Sequence, residues 1–178
     1  MKNITPGHAP MEDPKATIAK ILDSVEGLAR KTSVPAVRYG LALIMLWFGT
    51  PKLFPGGSPA EQIANDTVAV LTGGLITGDT ARLMVGCLEV GLGMALVVGR
   101  GMPVVLALMA GHMAGTFTPL IIFPELTWHA PFVGSLEGQY ILKNILIIAG
   151  MIVLAGYGMR RPRPVSDNPT RGKHPVLV

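Results

Sequence analysis

The 178 residues suffice for one compact domain, and 49% are hydrophobic against only 15% charged, with a mean hydropathy of +0.48. A water-exposed domain carries about 25% charged residues, so this composition excludes an ordinary soluble surface and makes lipid the solvent for much of the chain. The net charge of +4 does not point to nucleic acid, because the basic residues sit at the two ends and beside apolar runs, with no basic stripe of interleaved aromatics; anionic headgroups are the better partner.

Met1 to Met11 holds Pro6 and Pro10 and reads as a disordered tail. Asp13-Pro14 starts a helix, with Asp as N-cap and Pro at the first helical position. Ile18, Ile21, Leu22, Val25, Leu28 and Ala29 recur at helical spacing, while Lys15, Lys20, Asp23, Glu26, Arg30 and Lys31 take the other faces. This amphipathic helix is expected flat on the cytoplasmic membrane surface, or else packed on a partner subunit. Residues 1–35 contain no continuous apolar core, so no secretory signal peptide is expected there.

The first membrane span is expected over about 37–54, with Arg38 at its inner edge, Trp47 and Phe48 towards the outer side, and Pro51-Lys52 ending or kinking it. Pro55 to Ala81 is a long connection in which Glu61 to Leu71 can form a short helix ended by Gly73-Gly74, too poor in apolar positions to span. The second span covers about 82–98, starts at Arg82 and stops at Gly99-Arg100-Gly101. The third covers about 103–123, bounded by Pro124. Glu125 to Gly138 is an outer loop without Lys or Arg, and the fourth span covers about 139–159.

Arg160-Arg161-Pro162-Arg163-Pro164 opens a basic tail over residues 160–178. Basic residues gather before the first span, between the second and third, and after the fourth, which puts both termini in the cytoplasm. The expected fold is all-α, a four-transmembrane-helix bundle preceded by the amphipathic interfacial helix. Gly111 and Gly115, and Gly86, Gly91 and Gly93, offer small surfaces for close helix contact. The lone cysteine, Cys87, reads as a small buried hydrophobe.

Ionisable groups inside a membrane are costly and face a bundle interior or a wet cavity. Glu89 lies in the second span, His112 in the third, Lys143 and Asn144 in the fourth, and Lys52 ends the first, so every span brings a polar group to the outer half. A carboxylate and an ammonium in low dielectric should pair. Glu89 is therefore expected to pair with Lys143, Lys52 or both, either as a static ion pair that fixes register or as part of a polar pocket. His112 is either a neutral imidazole bonded to a neighbouring helix or a hydrogen-bond partner for a quinone head.

The remaining histidines, His8, His129 and His174, fall outside the spans, so no bis-histidine haem is expected. Glu125 and His129 could share a helical face, yet two such groups fall short of a metal site. Trp128 and Tyr140 read as interface anchors. No nucleophile–base–acid set, phosphate loop or dinucleotide fingerprint occurs.

Arg38-Tyr39-Gly40-Leu41 through Phe48-Gly49-Thr50-Pro51-Lys52-Leu53 resembles the first span of the DoxX/DoxD-like membrane proteins. Leu88-Glu89-Val90-Gly91-Leu92-Gly93 with Gly99-Arg100 is similar to their second. His112-Met113-Ala114-Gly115-Thr116-Phe117 and Glu137-Gly138-Gln139-Tyr140-Ile141-Leu142-Lys143-Asn144 resemble one branch of that family. The similarity covers roughly 36–158. It implies a four-helix membrane bundle in a bacterial cytoplasmic membrane. Some members are similar to the large subunit of thiosulfate:quinone oxidoreductase and others are linked to oxidative-stress defence. The positions that would carry a family site are Arg38, Lys52, Glu89, His112, Lys143 and Asn144. With no cysteine besides Cys87, direct sulfur transfer lacks a nucleophile.

The functional expectation is a membrane subunit of a redox system, with quinone in a polar pocket in the outer half of the bundle. Glu89 and His112 would handle protons, and Lys52, Lys143, Asn144 and Trp47 would bind the ligand. If the chain is enzymatic, it is a quinone-linked oxidoreductase subunit. The alternative is a non-enzymatic subunit that docks on a larger membrane complex through a protein partner or further copies of itself. A solute transporter is disfavoured by the lack of a visible inverted repeat or paired broken helix.

Overall fold

The computed structural model describes residues 14–158. Asp13, the tail before it and the basic tail after Gly158 lie outside the described residues. The described chain is all-α apart from one small hairpin, and among the described residues four helices are long and apolar enough to cross a membrane. It is a multi-pass membrane protein whose apolar helices sit in lipid.

Helix α1 runs without a break from Pro14 to Gly49, 36 residues that carry both the amphipathic segment and the first span. The two were expected as separate elements around Pro35. Proline removes one i→i−4 hydrogen bond, but Pro35 and Lys31, whose carbonyl loses that bond, are both exposed, so the loss is not sealed in a core. At about 1.5 Å per residue α1 is roughly 54 Å long, well beyond the ~30 Å of bilayer hydrocarbon. Its first turns therefore extend past that layer. Thr50 leads into a 3-10 turn at Pro51–Leu53, which ends the first span.

Helix α2, Glu61–Leu71, matches the expected short helix, and Gly73 and Gly74 follow it with positive φ. The second span, α3, begins at Gly78, one turn earlier than the apolar run suggests, and ends at Val98 with Gly99 left-handed as its cap. Asp79 in the first turn of α3 complements the helix dipole.

The third span is split into α4, Met102–Phe117, and α5, Pro119–Ile122. Pro119 has no N–H to continue the ladder, and the Thr118 hydroxyl donates instead to the Ala114 carbonyl at 3.0 Å. The expected outer loop is folded: α6, Pro124–Thr127, then a hairpin of β1, Trp128–Ala130, and β2, Val133–Gly134. The fourth span starts at Leu136 and is also split, into α7, Leu136–Leu142, and α8, Ile145–Val153, with a turn at Lys143–Asn144; a π turn, Leu154–Gly158, follows.

The spans alternate in direction. One end of the bundle carries the C-terminus of α1, α2 and the hairpin, and is called distal here. The other, proximal end carries the Gly99–Gly101 turn. The proximal half is filled by a core that includes Leu41, Met45, Leu96, Met109, Met151 and Leu154.

The closest contact is α1 on α3, and it depends on two missing side chains. A Cβ on Gly49 would lie 2.7 Å from Glu89 Cβ and 2.9 Å from Val90 N; a Cβ on Gly93 would lie 2.7 Å from Leu46 Cγ. Gly86 adds a third close approach, against Lys52 and Leu53. Gly91, Gly111 and Gly115 meet nothing within 4 Å, so the expected Gly111–Gly115 contact is not made among the described residues. Cys87 is exposed on the outside of α3 rather than buried.

Candidate functional site

Helix α1 delivers Lys52 through its terminal 3-10 turn, three residues after the Gly49 contact. That contact presses α1 against α3 at Glu89, so Lys52 and Glu89 meet inside the bundle, each only 7% exposed. Lys52 Nζ donates to Glu89 Oε2 at 2.5 Å and to the Phe48 carbonyl at 3.3 Å. His112 Nε2 lies 3.1 Å from Glu89 Oε1. An ionised carboxylate only accepts hydrogen bonds, so His112 donates its Nε2–H to Glu89 in the ion-paired state. Both oxygens of Glu89 are thereby bonded, one to a cation and one to an imidazole.

These three residues line a cavity of about 470 Å³ in the distal half of the bundle. Ligand pockets for small molecules span roughly 300–1,000 Å³ and are mostly apolar with a few convergent polar groups. The cavity fits that description. Ile44, Met45 and Phe48 of α1, Met84 and Leu88 of α3, and Ile141 and Ile147 of the fourth span form its apolar walls. The α2 helix contributes Ile63, Ala64, Thr67 and Val68 to another wall. Glu89, His112, Lys52, Lys143 and Asn144 are its ionisable and amide groups near mid-bundle, and Glu137 adds a carboxylate. The structure thus brings five of the six residues expected to handle protons or bind the ligand onto one surface.

The sixth, Trp47, does not line the cavity and is 71% exposed. Adjacent helical residues point about 100° apart, and Phe48 takes the inward direction, which turns Trp47 to lipid. A second correction concerns the ion pair. Glu89 pairs with Lys52, and Lys143 has no carboxylate within ion-pair distance among the described residues. Its ammonium lies instead 3.8 Å from the Phe48 ring centroid and 3.6 Å from that of Tyr140. The two rings meet edge to face, 5.5 Å apart at 86°. A cation over aromatic faces is attracted by their quadrupoles. The choice of partner follows from the backbone: Gly49 brings Lys52 against α3, whereas Lys143 lies in the turn that splits the fourth span. Tyr140 is consequently part of the cavity wall. Trp128 is half-buried, with its indole N–H donated to the Leu120 carbonyl at 3.0 Å.

Arg38 occupies the proximal end, far from the cavity. Its Nη2 donates to the Tyr39 hydroxyl at 2.7 Å, and its guanidinium crowds Gly99, where any Cβ would collide with Nη1. There it faces the C-terminal, negative end of the α3 dipole. Glu125 and His129 fall on α6 and β1 respectively and share no helical face.

One residue of the distal end was read from sequence only as the start of a span. Arg82 is 4% exposed. Its Nη1 donates to the Lys52 carbonyl at 2.7 Å, its Nε and Nη2 donate to Asp79 Oδ1 at 3.1 and 2.9 Å, and its Nε lies 3.7 Å from Glu61 Oε1. The other oxygen of Glu61 accepts from Gly56 N at 2.9 Å. Arg82 therefore ties the 3-10 turn, α3 and α2 together at the cavity's edge. The available signal was its position: an arginine opposite the side where the other basic residues gather needs a local reason.

Comparison with known proteins gives no match: no family model, no curated protein and no solved structure is similar to this chain.

Proposed function

We propose that this chain is a membrane subunit of a redox system and that its distal cavity binds a quinone or a similar flat, apolar molecule. The single observation that carries the reading is the cavity of about 470 Å³ whose apolar walls enclose the Lys52–Glu89–His112 set. Apolar walls suit a ring system and its tail. Lys52, Lys143 and the Asn144 amide are donors suited to a carbonyl. A bound quinone would accept electrons from a partner and protons from its surroundings. His112 and Glu89 form a hydrogen-bonded acid–base couple beside that space, able to hold a proton at Nε2 or at a carboxylate oxygen. The resemblance to DoxX/DoxD-like proteins supports the same reading. The resemblance also implies a bacterial cytoplasmic membrane, and the arrangement of basic residues favours both termini inside with the cavity in the outer half.

The test is quinone binding to the purified chain in mild detergent, wild type against His112→Ala and Glu89→Gln. Weaker binding in either variant is the expected result. Binding unchanged in both would remove the site from this assignment.

A specific feature favours a second reading, a non-enzymatic subunit docked on a larger complex. Ile18, Ile21, Leu22, Val25 and Leu28 of α1 are all more than half exposed and form one stripe. A stripe of that kind covers a partner helix or rests on headgroups. Co-purification in mild detergent separates the readings: a stoichiometric protein partner with no small molecule in the cavity favours docking.

A further inference from the structure

Two polar groups on the cavity wall lack a complement of their own. The first is the Lys143 ammonium. Glu89 is satisfied on both oxygens by Lys52 and His112. Glu137, the other carboxylate on the wall, accepts from the Ser135 hydroxyl at 3.0 Å at the start of α7. Phe48 and Tyr140 attract the Lys143 cation through their faces but contribute no net negative charge. The second group is Asn144. It is 7% exposed, it lines the cavity, and its carboxamide makes no hydrogen bond among the described residues, not even a cap on the helix it precedes. Its amide atoms are not sealed off as Arg38 Nε and Asn65 Oδ1 are, so they stay accessible beside the cavity, where a bound molecule can complete their hydrogen bonds.

Both groups come from the turn that interrupts the fourth span. The backbone there stays in the right-handed helical region, and the Lys143 and Asn144 N–H groups bond to the Gln139 and Ile141 carbonyls, so the turn shifts the helix register without opening its ladder. The Lys143 ammonium reaches back from the turn to the Phe48 and Tyr140 faces, and Asn144 follows it on the same cavity wall. An ammonium without a carboxylate and an amide without a partner therefore favour a negative oxygen on this stretch of wall, while the apolar walls around it favour hydrocarbon.

We infer that the molecule taken up here is an acid: an apolar body ending in one ionised oxygen group, held by Lys143 and Asn144 at the break of the fourth span. This rests on the reading of the cavity as a quinone-like site and narrows it, since an ionised hydroxyquinone would be preferred to a neutral quinone. A fatty acid offers the same chemistry, with its carboxylate at the break and its chain along the walls.

The experiment measures binding of four probes to the purified full chain in uncharged detergent. They are an alkylated hydroxynaphthoquinone, ionised near neutral pH, its uncharged methyl ether, a medium-chain fatty acid and its methyl ester. A charge-assisted contact that the ether cannot make should give the hydroxyquinone an advantage of roughly tenfold or more. Lys143→Gln should abolish that advantage, and Lys143→Arg should preserve most of it. Preference confined to the fatty-acid pair would support the acid site and identify its source as lipid, at the expense of the quinone reading. Equal binding of hydroxyquinone and ether, with no preference in the fatty-acid pair, would overturn the inference while leaving the quinone reading standing. Failure of all four probes would overturn both. Discrimination that survives Lys143→Gln would overturn the assignment to this residue.

Discussion

Arg82 donates from Nη1 to the main-chain oxygen of Lys52 at 2.7 Å, so the turn that presents the cavity's ammonium is itself held by a buried guanidinium. The same guanidinium bonds Asp79 and approaches Glu61. A charged donor on a main-chain carbonyl contributes about 1.5–3 kcal/mol, and its loss leaves the acceptor unsatisfied.

Arg82→Met should therefore destabilise the protein by about 2 kcal/mol. Arg82→Lys should recover little, because one ammonium cannot replace a planar fork that serves a carbonyl and two carboxylates. Thermal unfolding in detergent, followed by circular dichroism, checks both. A Lys variant as stable as wild type would show that only the charge matters.

The Gly49 contact makes a steric prediction. An alanine Cβ there would fall 2.7 Å from Glu89 Cβ and against the α3 backbone at Val90 N, which cannot retreat as a side-chain tip could. Gly49→Ala should cost about 1–3 kcal/mol, typical of overpacking, and Gly49→Leu more. Gly111→Ala, with open space around it, should be close to neutral in the isolated chain. Equal effects at Gly49 and Gly111 would argue that the α1–α3 spacing differs from the one described.

The Lys52–Glu89 pair should show strong non-additivity. Lys52→Met alone leaves a buried carboxylate with only His112, and removing one partner of a buried pair costs about 3–5 kcal/mol. The double variant Lys52→Met, Glu89→Leu removes the stranded charge and should recover most of that loss. The measurement is a double-mutant cycle on unfolding midpoints. Additive losses would mean the two groups do not depend on each other.

Phe48 and Trp47 should part ways although they are neighbours in sequence. Phe48→Leu removes one of the two faces over Lys143 and opens the wall, and should weaken binding of a quinone probe by several-fold, on the order of the 0.5–2 kcal/mol assigned to cation–π contacts. Trp47→Leu exchanges one lipid-facing hydrophobe for another and should leave binding as it is. Ligand titration of the two variants side by side decides the matter.

The four spans, the short helix between the first two and its glycine end were legible because hydropathy, length and Gly/Pro placement speak for themselves. So was the convergence of Lys52, Glu89, His112, Lys143 and Asn144, because a polar group in hydrocarbon has few places to go. Which cation meets Glu89 was not legible. Lys52 and Lys143 are equivalent as charges, and the difference arises from an approach distance that Gly49 sets. The split at Lys143–Asn144 was also hidden, since Ile141 to Ile148 reads as one apolar run with a polar pair inside it. Trp47 was misassigned because adjacency to Phe48 says nothing about which of two neighbouring directions faces inward.

The turns at Pro51, Pro119 and Lys143–Asn144 fall in the distal half beside the cavity, whereas the proximal half, although it holds Pro35 and the π turn at Leu154–Gly158, is packed by Leu41, Leu96, Met109 and their neighbours. Local opening is easiest where backbone ladders are broken and apolar contacts are sparse. Deuterium uptake by main-chain amides should accordingly rise along the bundle axis, slow beside Met109 and fast beside Thr118 and Asn144. Such a gradient means that a molecule entering or leaving needs only one end of the bundle to breathe, while the other end keeps the helices in register.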